Sequence, residues 1–327
     1  MKKEKLKGKK AGRRYFSFFF FLPLAALLFP NCSINTLVAN ALTGEGTSTV
    51  FTGDADPELV GDALPFAIKM YEALLDSTPN HQGLILTTGS LYIMYANAFV
   101  QGPAEMLPLE DYAEKGAQLD RAKSLYLKGV AILERGISNK YPGMLGEWGP
   151  ADHPAFTRGL AKMKKEDIPL FYWYAAGTLS AYALNAFDIS LGLRVPQLTT
   201  MMKRAYELDE YFNTCALDEF FLLLYGALPD GMGGDIEQAL VHYQKALEKS
   251  KGLSAGPYVS YAQTIAVKNQ DYNAFKENLD TALSIDPEAD PSNTLVNTIN
   301  RRKAKYLLEK APDLFLDFEY EDDYFNY

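Results

Sequence analysis

Residues 234–247 read GDIEQALVHYQKAL, and the spacing within this stretch decides the fold. Ala239, Tyr243 and Ala246 lie four and then three positions apart, so they share one face of a helix. The two alanines let a neighbouring helix approach closely, and the tyrosine fills the space between successive helix pairs. The stretch therefore predicts one helix of a tightly packed helical hairpin.

The same spacing recurs elsewhere in the chain, which indicates an internal repeat. The corresponding positions are Phe275, Leu279 and Ala282; Ala67, Tyr71 and Leu74; and, in weaker copies, Ala122, Tyr126 and Gly129, with Ala205 and Leu208 as a fragment. Pro79 and Pro287 each follow a copy by five residues, where a proline would end the second helix of a pair. Repeats of about 34 residues with this pattern are typical of tetratricopeptide (TPR) arrays.

We therefore predict an all-α fold of TPR-like stacked helical hairpins, an α-solenoid with a right-handed superhelix. The residues expected to pack between its helices are Ala67, Tyr71, Ala239, Tyr243, Ala246, Phe275 and Ala282. The alternative is an ordinary α-helical bundle in which the periodicity arises by chance. Glycine and proline divide the chain into predicted helices at 57–77, 81–101, 109–138, 155–163, 167–191, 196–212, 215–228, 234–250, 256–269, 271–284 and 291–310.

The first 32 residues predict export. Residues 1–14 hold eight Lys/Arg and one Glu, and residues 16–29 (FSFFFFLPLAALLF) are almost wholly apolar. This arrangement is typical of a secretory signal, and the apolar run is shorter than the roughly 20 residues that span a membrane. Cys32 resembles the cysteine of a bacterial lipoprotein signal, which is acylated and becomes the mature N-terminus, although residues 29–31 depart from the usual pattern. The alternative is a cleaved signal or an uncleaved anchor in which Cys32 is incidental.

The sequence thus divides into four predicted parts. A signal peptide (1–31) precedes a flexible tether (32–55), a TPR-like helical domain (56–315) and an acidic-aromatic tail (316–327). The tail segment DFEYEDDYFNY (317–327) combines five acids with five aromatics, so we expect it to be disordered or to dock along a basic groove.

Charge and cysteine content exclude some classes of function. The whole chain carries −9 and its first 32 residues carry +7, which leaves −16 on the exported part. An acidic surface repels phosphate backbones, so nucleic acid is not expected as a partner. If Cys32 is acylated, Cys215 has no cysteine with which to pair, and its apolar surroundings indicate a core thiol.

The sequence offers no familiar catalytic or metal-binding pattern. His81, His153 and His242 lie far apart, and none has a second histidine at i+3 or i+4 to complete a helical zinc pair. We interpret His242 as a helix-surface residue. Phosphate-binding loops and nucleophile elbows are missing from the sequence, so we predict no catalytic residue, no metal site and no cofactor. The alternative is an envelope enzyme with an unusual site near residues 148–153.

The segment 171–174 (FYWY) places four aromatic side chains in succession, and one helix cannot bury all of them on a single face. Core packing is the simplest interpretation. The alternative is that Trp148, Tyr172, Trp173 and Tyr174 line a ligand cleft or a pore, because tyrosine and tryptophan suit a site with one wet edge.

Several segments together resemble one protein family. They are CSI (32–34), DADPELVGDALPFAIKMYEALLDSTPNHQGL (54–84), FYWYAAGTLSAY (171–182), GGDIEQALVHYQKAL (233–247), YVSYAQTIAV (258–267) and NTINRRKAKYLLEKAPDLF (297–315). In this order they look like the T component associated with tripartite ATP-independent periplasmic (TRAP) transporters. The resemblance implies a TPR-like lipoprotein that faces the periplasm of a bacterial envelope and is anchored to its inner or outer membrane at Cys32.

The resemblance also implies partners and an assembly. Members of this family are understood to form a homotrimer with a central pore and to bind the transporter's P component, the periplasmic solute-binding protein. Their proposed cargo is a small hydrophobic organic ligand. We therefore predict a non-enzymatic transport lipoprotein; the alternative is a TPR lipoprotein scaffold that acts in outer-membrane or cell-wall assembly.

Overall fold

The computed structural model of the protein describes residues 49–146, 151–316 and 318. Every regular element in these ranges is helical, and they contain no strand. The predicted all-α fold is therefore confirmed.

The principal helices follow one another with short connections. They are α1 Thr49–Thr52, α2 Pro57–Ser77, α3 Gln82–Glu105, α4 Tyr112–Lys140, α5 Pro154–Ala161, α6 Ile168–Ala183, α7 Ile189–Gly192, α8 Val195–Leu208, α9 Ala216–Ala227, α10 Ile236–Ser250, α11 Gly256–Tyr261, α12 Tyr272–Ser284, α13 Thr294–Glu309 and α14 Ala311–Leu314. Two π-helical stretches occur, Ala96–Gln101 within α3 and Ala262–Ala266 directly after α11. The bounds of α2 match the prediction, because Asp56 caps its first turn and Pro57 occupies the first helical position.

Neighbouring helices pack against each other as hairpins. α2 packs on α3, α3 on α4 and α4 on α6; further along, α9 packs on α10, and α12 packs on both α11 and α13. All seven residues predicted to lie between helices are buried, including Tyr71, Tyr243 and Phe275. This packing is compatible with the predicted helical solenoid.

Helices α3 and α4 cross at close range. A Cβ atom added to Gly129 would lie 2.7 Å from the backbone oxygen of Gly89, and one added to Gly89 would lie 2.5 Å from the Leu133 side chain. Both positions therefore require glycine. Gly129 belongs to one of the weak repeat copies, so the small residue at that position has the close-packing role that the repeat predicts.

The last long helix returns to the first. Arg302 of α13 binds Glu58 of α2, with 3.0 Å between its Nη2 and Oε2, and this hydrogen bonding lowers the pKa of Glu58 to about 2. Tyr306 donates its hydroxyl to the backbone oxygen of Glu105 at 2.9 Å. These contacts join residues at least 201 positions apart, so the two ends of the described array meet.

One predicted helix was wrong in its extent. The predicted helix 167–191 ends at Ala183, and a turn separates it from α7. Asp188 explains the break, because its carboxylate accepts a hydrogen bond from the backbone of Leu191 and caps a new helical turn. Asp188 also binds Lys123 of α4 at 3.2 Å, a long-range contact that sequence periodicity does not contain.

Part of the predicted tether is described. Residues 49–55 include the short helix α1, which packs near α13, and Phe51 contacts the core. The signal peptide and Cys32 lie outside the described residues, as does nearly all of the predicted tail. By length and composition α3 could cross a membrane, but half of its most apolar window is buried against other helices.

Candidate functional site

The aromatic segment of α6 divides between the core and a partly exposed group of rings around Tyr172 and Trp173, which we call the aromatic cluster. Phe171 and Tyr174 are buried, whereas Tyr172 and Trp173 remain partly accessible. Trp148 lies outside the described residues. Of the candidate lining residues, the structure thus brings Tyr172 and Trp173 together at an accessible edge and places Tyr174 among core side chains.

Tyr172 contacts the other rings of the aromatic cluster. Its ring centroid lies 5.5 Å from that of Trp173, 5.3 Å from Phe212 and 6.4 Å from Phe220. Such tilted and edge-on ring pairs add stabilisation beyond their buried area. Burial raises the pKa of Tyr172, and the Glu219 carboxyl nearby adds to the rise. The aromatic cluster is therefore apolar, with one acidic group, Glu219, beside it.

Glu219 supplies that acidic group. Its Oε1 accepts hydrogen bonds from the Cys215 thiol at 3.3 Å and from the Ser254 hydroxyl at 3.2 Å. Desolvation raises the pKa of Glu219, and desolvation with the adjacent carboxyl raises the pKa of Cys215. A buried thiol with a raised pKa is a poor nucleophile, so Cys215 has the properties of a core residue.

A second polar cluster ties three helices together. Asp218 of α9 is fully buried; its Oδ1 lies 2.7 Å from His242 Nδ1 and accepts the Tyr206 hydroxyl at 3.1 Å. Its Oδ2 accepts Lys249 Nζ at 2.7 Å. Desolvation alone would raise the pKa of Asp218, but hydrogen bonds from His242 and Lys249 outweigh it and hold that pKa below its usual value. We call these four residues the Asp218 cluster.

The interpretation of His242 as a surface residue was wrong. His242 of α10 is 9% exposed, and its ring stacks on Phe221 with 4.8 Å between centroids. Its position could have indicated burial, because it follows Ala239 by three residues and so lies on the packed face of α10. The residue that completes its pairing, Asp218, belongs to a different helix, and no spacing in the sequence links the two.

The other histidines have local roles. His81 caps α3, with its Nδ1 accepting the backbone N–H of Leu84 at 3.1 Å. His153 occupies the position before α5, and residues 148–150 of the alternative enzyme site lie outside the described residues. Within the described ranges, no three His, Cys, Asp or Glu side chains are grouped so that they could hold a metal ion.

The outer side of α2 presents an unusual apolar surface, which we call the α2 face. It consists of Leu59, Ala63, Phe66, Met70 and Ala73, spaced alternately four and three residues apart. All five are exposed, with Phe66 at 76% and Leu59 at 59%. This spacing is the seam pattern with which one helix packs on another. The inner side of α2, in contrast, is buried against α3.

These features define an all-helical protein with a packed interior, a partly exposed aromatic cluster and an exposed apolar helix face. The family model of the TRAP transporter T-component matches residues 53–315. An uncharacterized protein of Treponema pallidum (strain Nichols) is 33% identical over 268 residues, which make up 82% of this chain and 83% of that protein. The chain belongs to the TRAP transporter T-component family.

Family membership confirms the resemblance seen in the sequence. It associates the chain with a TRAP transporter, and thereby with the bacterial cell envelope and with the other components of such a transporter.

Proposed function

We propose that this chain is a non-enzymatic, lipid-anchored periplasmic protein that docks the solute-binding P component of a TRAP transporter. The α2 face is the observation that carries this proposal. The terminal units of a helical array normally present a polar outer surface, because that surface meets water. A contiguous run of exposed apolar side chains on the first long helix is instead typical of a surface that a partner protein covers.

The charged and polar groups beside the α2 face indicate which kind of partner surface would fit it. Asp62 and Asp76 flank the apolar stripe, are exposed, and form no ion pair with any described residue. Pro65 lies in the same helix outside the stripe and has no N–H to donate to the Gly61 carbonyl one turn earlier. The surface therefore suits a partner that presents apolar side chains and, around them, cationic or hydrogen-bond donor groups.

The aromatic cluster is our candidate for ligand contact. Tyr172 and Trp173 offer accessible ring edges beside Phe212, a setting that suits a small hydrophobic organic ligand. Tyr174 would support the aromatic cluster from the core without touching the ligand.

Recovery of a partner from membranes tests the proposal. The tagged full-length chain is purified after mild detergent extraction, and the bound proteins are identified by mass spectrometry. We expect a TRAP solute-binding protein in amounts comparable with the tagged chain. Recovery of outer-membrane or cell-wall assembly proteins instead would favour the alternative scaffold function.

Replacing Cys32 with alanine is expected to release the protein from membranes. Two or three acyl chains hold a lipoprotein stably because each buried methylene contributes about 0.8 kcal/mol, and the variant has no acylation site. Fractionation of cells into membrane and soluble material measures the effect. Retention of Cys32→Ala in the membrane fraction at the wild-type level would contradict lipid anchoring.

The proposed assembly is a homotrimer. We expect light scattering of purified residues 33–327 to give three times the mass of one chain at high micromolar concentration. A strict monomer over that concentration range would remove the trimer, and with it the pore between subunits, while leaving the docking of a solute-binding protein testable by itself.

A further inference from the structure

The loop between α6 and α8 exposes three large apolar side chains that do not belong to the α2 face. Phe187 is 95% exposed, Ile189 76% and Leu193 54%. An aromatic side chain almost wholly in water loses the stabilisation that burial would give it, about 2–3 kcal/mol. Several such residues on one short loop indicate a contact surface.

This loop is held firmly against α4. Asp188 accepts a hydrogen bond from the Ser190 hydroxyl at 2.6 Å and binds Lys123 of α4 at 3.2 Å. At the other end of the loop Arg194 lies 3.8 Å from Glu134, also on α4. The apolar side chains are therefore displayed by an ordered segment with two attachments.

The two attachments extend the surface onto α4 itself. Lys123 and Glu134 are 11 residues apart, close to three helical turns, so they lie on one side of α4. Leu127 and Ala131 lie between them near the same side and are exposed. We group the loop side chains and these two residues as the apolar strip; the exposed Asp120 and Ser124 lie on the same side of α4 and interrupt it.

A row of cations borders this strip. Arg121, Lys128 and Arg135 recur every seven residues on α4, which places them about 10.5 Å apart along the helix. All three are exposed and none forms a salt bridge with a described carboxylate, but Arg121 donates hydrogen bonds to Gln118 and Tyr95, and the charge of Lys128 helps to lower the pKa of Glu72. We call the strip and the row together the α4 face.

The charge of the α4 face contrasts with that of the exported chain, which carries −16. Exposed aromatic and aliphatic side chains beside exposed Lys and Arg are the composition of a surface that lies in the headgroup region of an anionic bilayer. A protein partner would also accept the apolar strip, but three exposed cations beside it, in a chain of net charge −9, favour an anionic bilayer.

We propose that the α4 face rests on an anionic lipid bilayer, with Phe187 and Ile189 inserted among the headgroups. This inference rests on the proposed membrane anchoring only for its place in the cell. Thr49 follows Cys32 by 17 positions, a span of at most about 60 Å when extended, so an anchored body could turn the α4 face toward its own membrane.

Vesicle binding by unlipidated protein tests the proposal. Residues 33–327 are mixed with vesicles of phosphatidylglycerol and phosphatidylcholine, or of phosphatidylcholine alone, and sedimented at low and high salt. We expect binding to the anionic vesicles that weakens as salt rises. Lys128→Gln with Arg135→Gln is expected to weaken binding about 20- to 30-fold, because each cation near such a surface contributes about fivefold.

The apolar contribution is tested separately. Phe187→Ser with Ile189→Ser should weaken vesicle binding about tenfold or more. The matched control is Leu240→Ser with Val241→Ser, which removes two exposed apolar side chains from α10 and should leave binding unchanged. Circular dichroism and light scattering are used to check that each variant keeps the wild-type fold and mass.

Three results would overturn the proposal. The wild-type protein could fail to bind anionic vesicles at low salt, or the loop and cation variants could bind them as wild type does. The third is a loop variant that loses a protein partner or its oligomeric state without losing vesicle binding. The protein in this assay carries no acyl group, and no solute-binding protein is present. Its failure would therefore leave the proposed docking on the α2 face intact.

Discussion

Replacing Asp218 with asparagine is expected to lower the free energy of unfolding by about 3 kcal/mol. The substitution removes the carboxylate that Lys249 and His242 share, and leaves the almost wholly buried Lys249 with the half-exposed Glu210, 3.4 Å away, as its remaining charge partner. Breaking a buried ion pair at one partner costs this much because the remaining charge keeps its desolvation penalty. Urea unfolding of both proteins at neutral pH measures the difference.

The pH dependence gives the same prediction a second readout. The pKa of Asp218 is lowered in the folded protein, so its stabilisation is present above its unfolded pKa of about 3.9. That stabilisation is lost as the pH falls through the folded pKa, and the gap between the two proteins should narrow there. The control is Asp62→Asn, which alters an exposed carboxylate and should change stability by less than about 0.5 kcal/mol. An Asp218→Asn protein within 1 kcal/mol of wild type would contradict the role of the cluster.

Replacing Phe66 and Met70 with aspartate is expected to weaken binding of a solute-binding protein about 100-fold or more. Each substitution removes an apolar side chain from the centre of the α2 face and introduces a charge that the contact would have to desolvate. Both side chains point away from α3, so the fold should tolerate the change. The ratio of binding constants for variant and wild-type protein, measured by titration, gives the effect.

A matched variant separates this effect from a general loss of surface hydrophobicity. Val241 of α10 is 44% exposed and lies outside the α2 face, so Val241→Asp should leave partner binding unchanged. If the control weakens binding as much as the α2 variant does, the partner does not dock where we propose.

Helix positions could be predicted from the sequence because their signals are local. The Asp56-Pro57 cap set the start of α2, and the small–aromatic–small spacing identified buried faces such as that of Ala239 and Tyr243. These features depend on residues within one or two helical turns, where periodicity and backbone restrictions act directly.

The polar clusters and exposed surfaces could not be predicted in the same way. Asp218 and His242 belong to different helices, and their pairing depends on how α9 packs against α10. The α4 face depends on the contact between Lys123 and Asp188, which are 65 residues apart. Likewise, the aromatic segment indicated that one helix face could not bury all four rings, but not that Tyr172 would stay partly exposed and Tyr174 would be buried.

The central claim is that this T-component family protein works by docking a solute-binding protein rather than by catalysis. The most direct measurement is a calorimetric titration of purified residues 33–327 with the TRAP solute-binding protein of the same cell. We expect saturable binding with one partner per chain, strongly weakened in the Phe66→Asp, Met70→Asp variant. An absence of binding by the wild-type body at partner concentrations of hundreds of micromolar would contradict the claim.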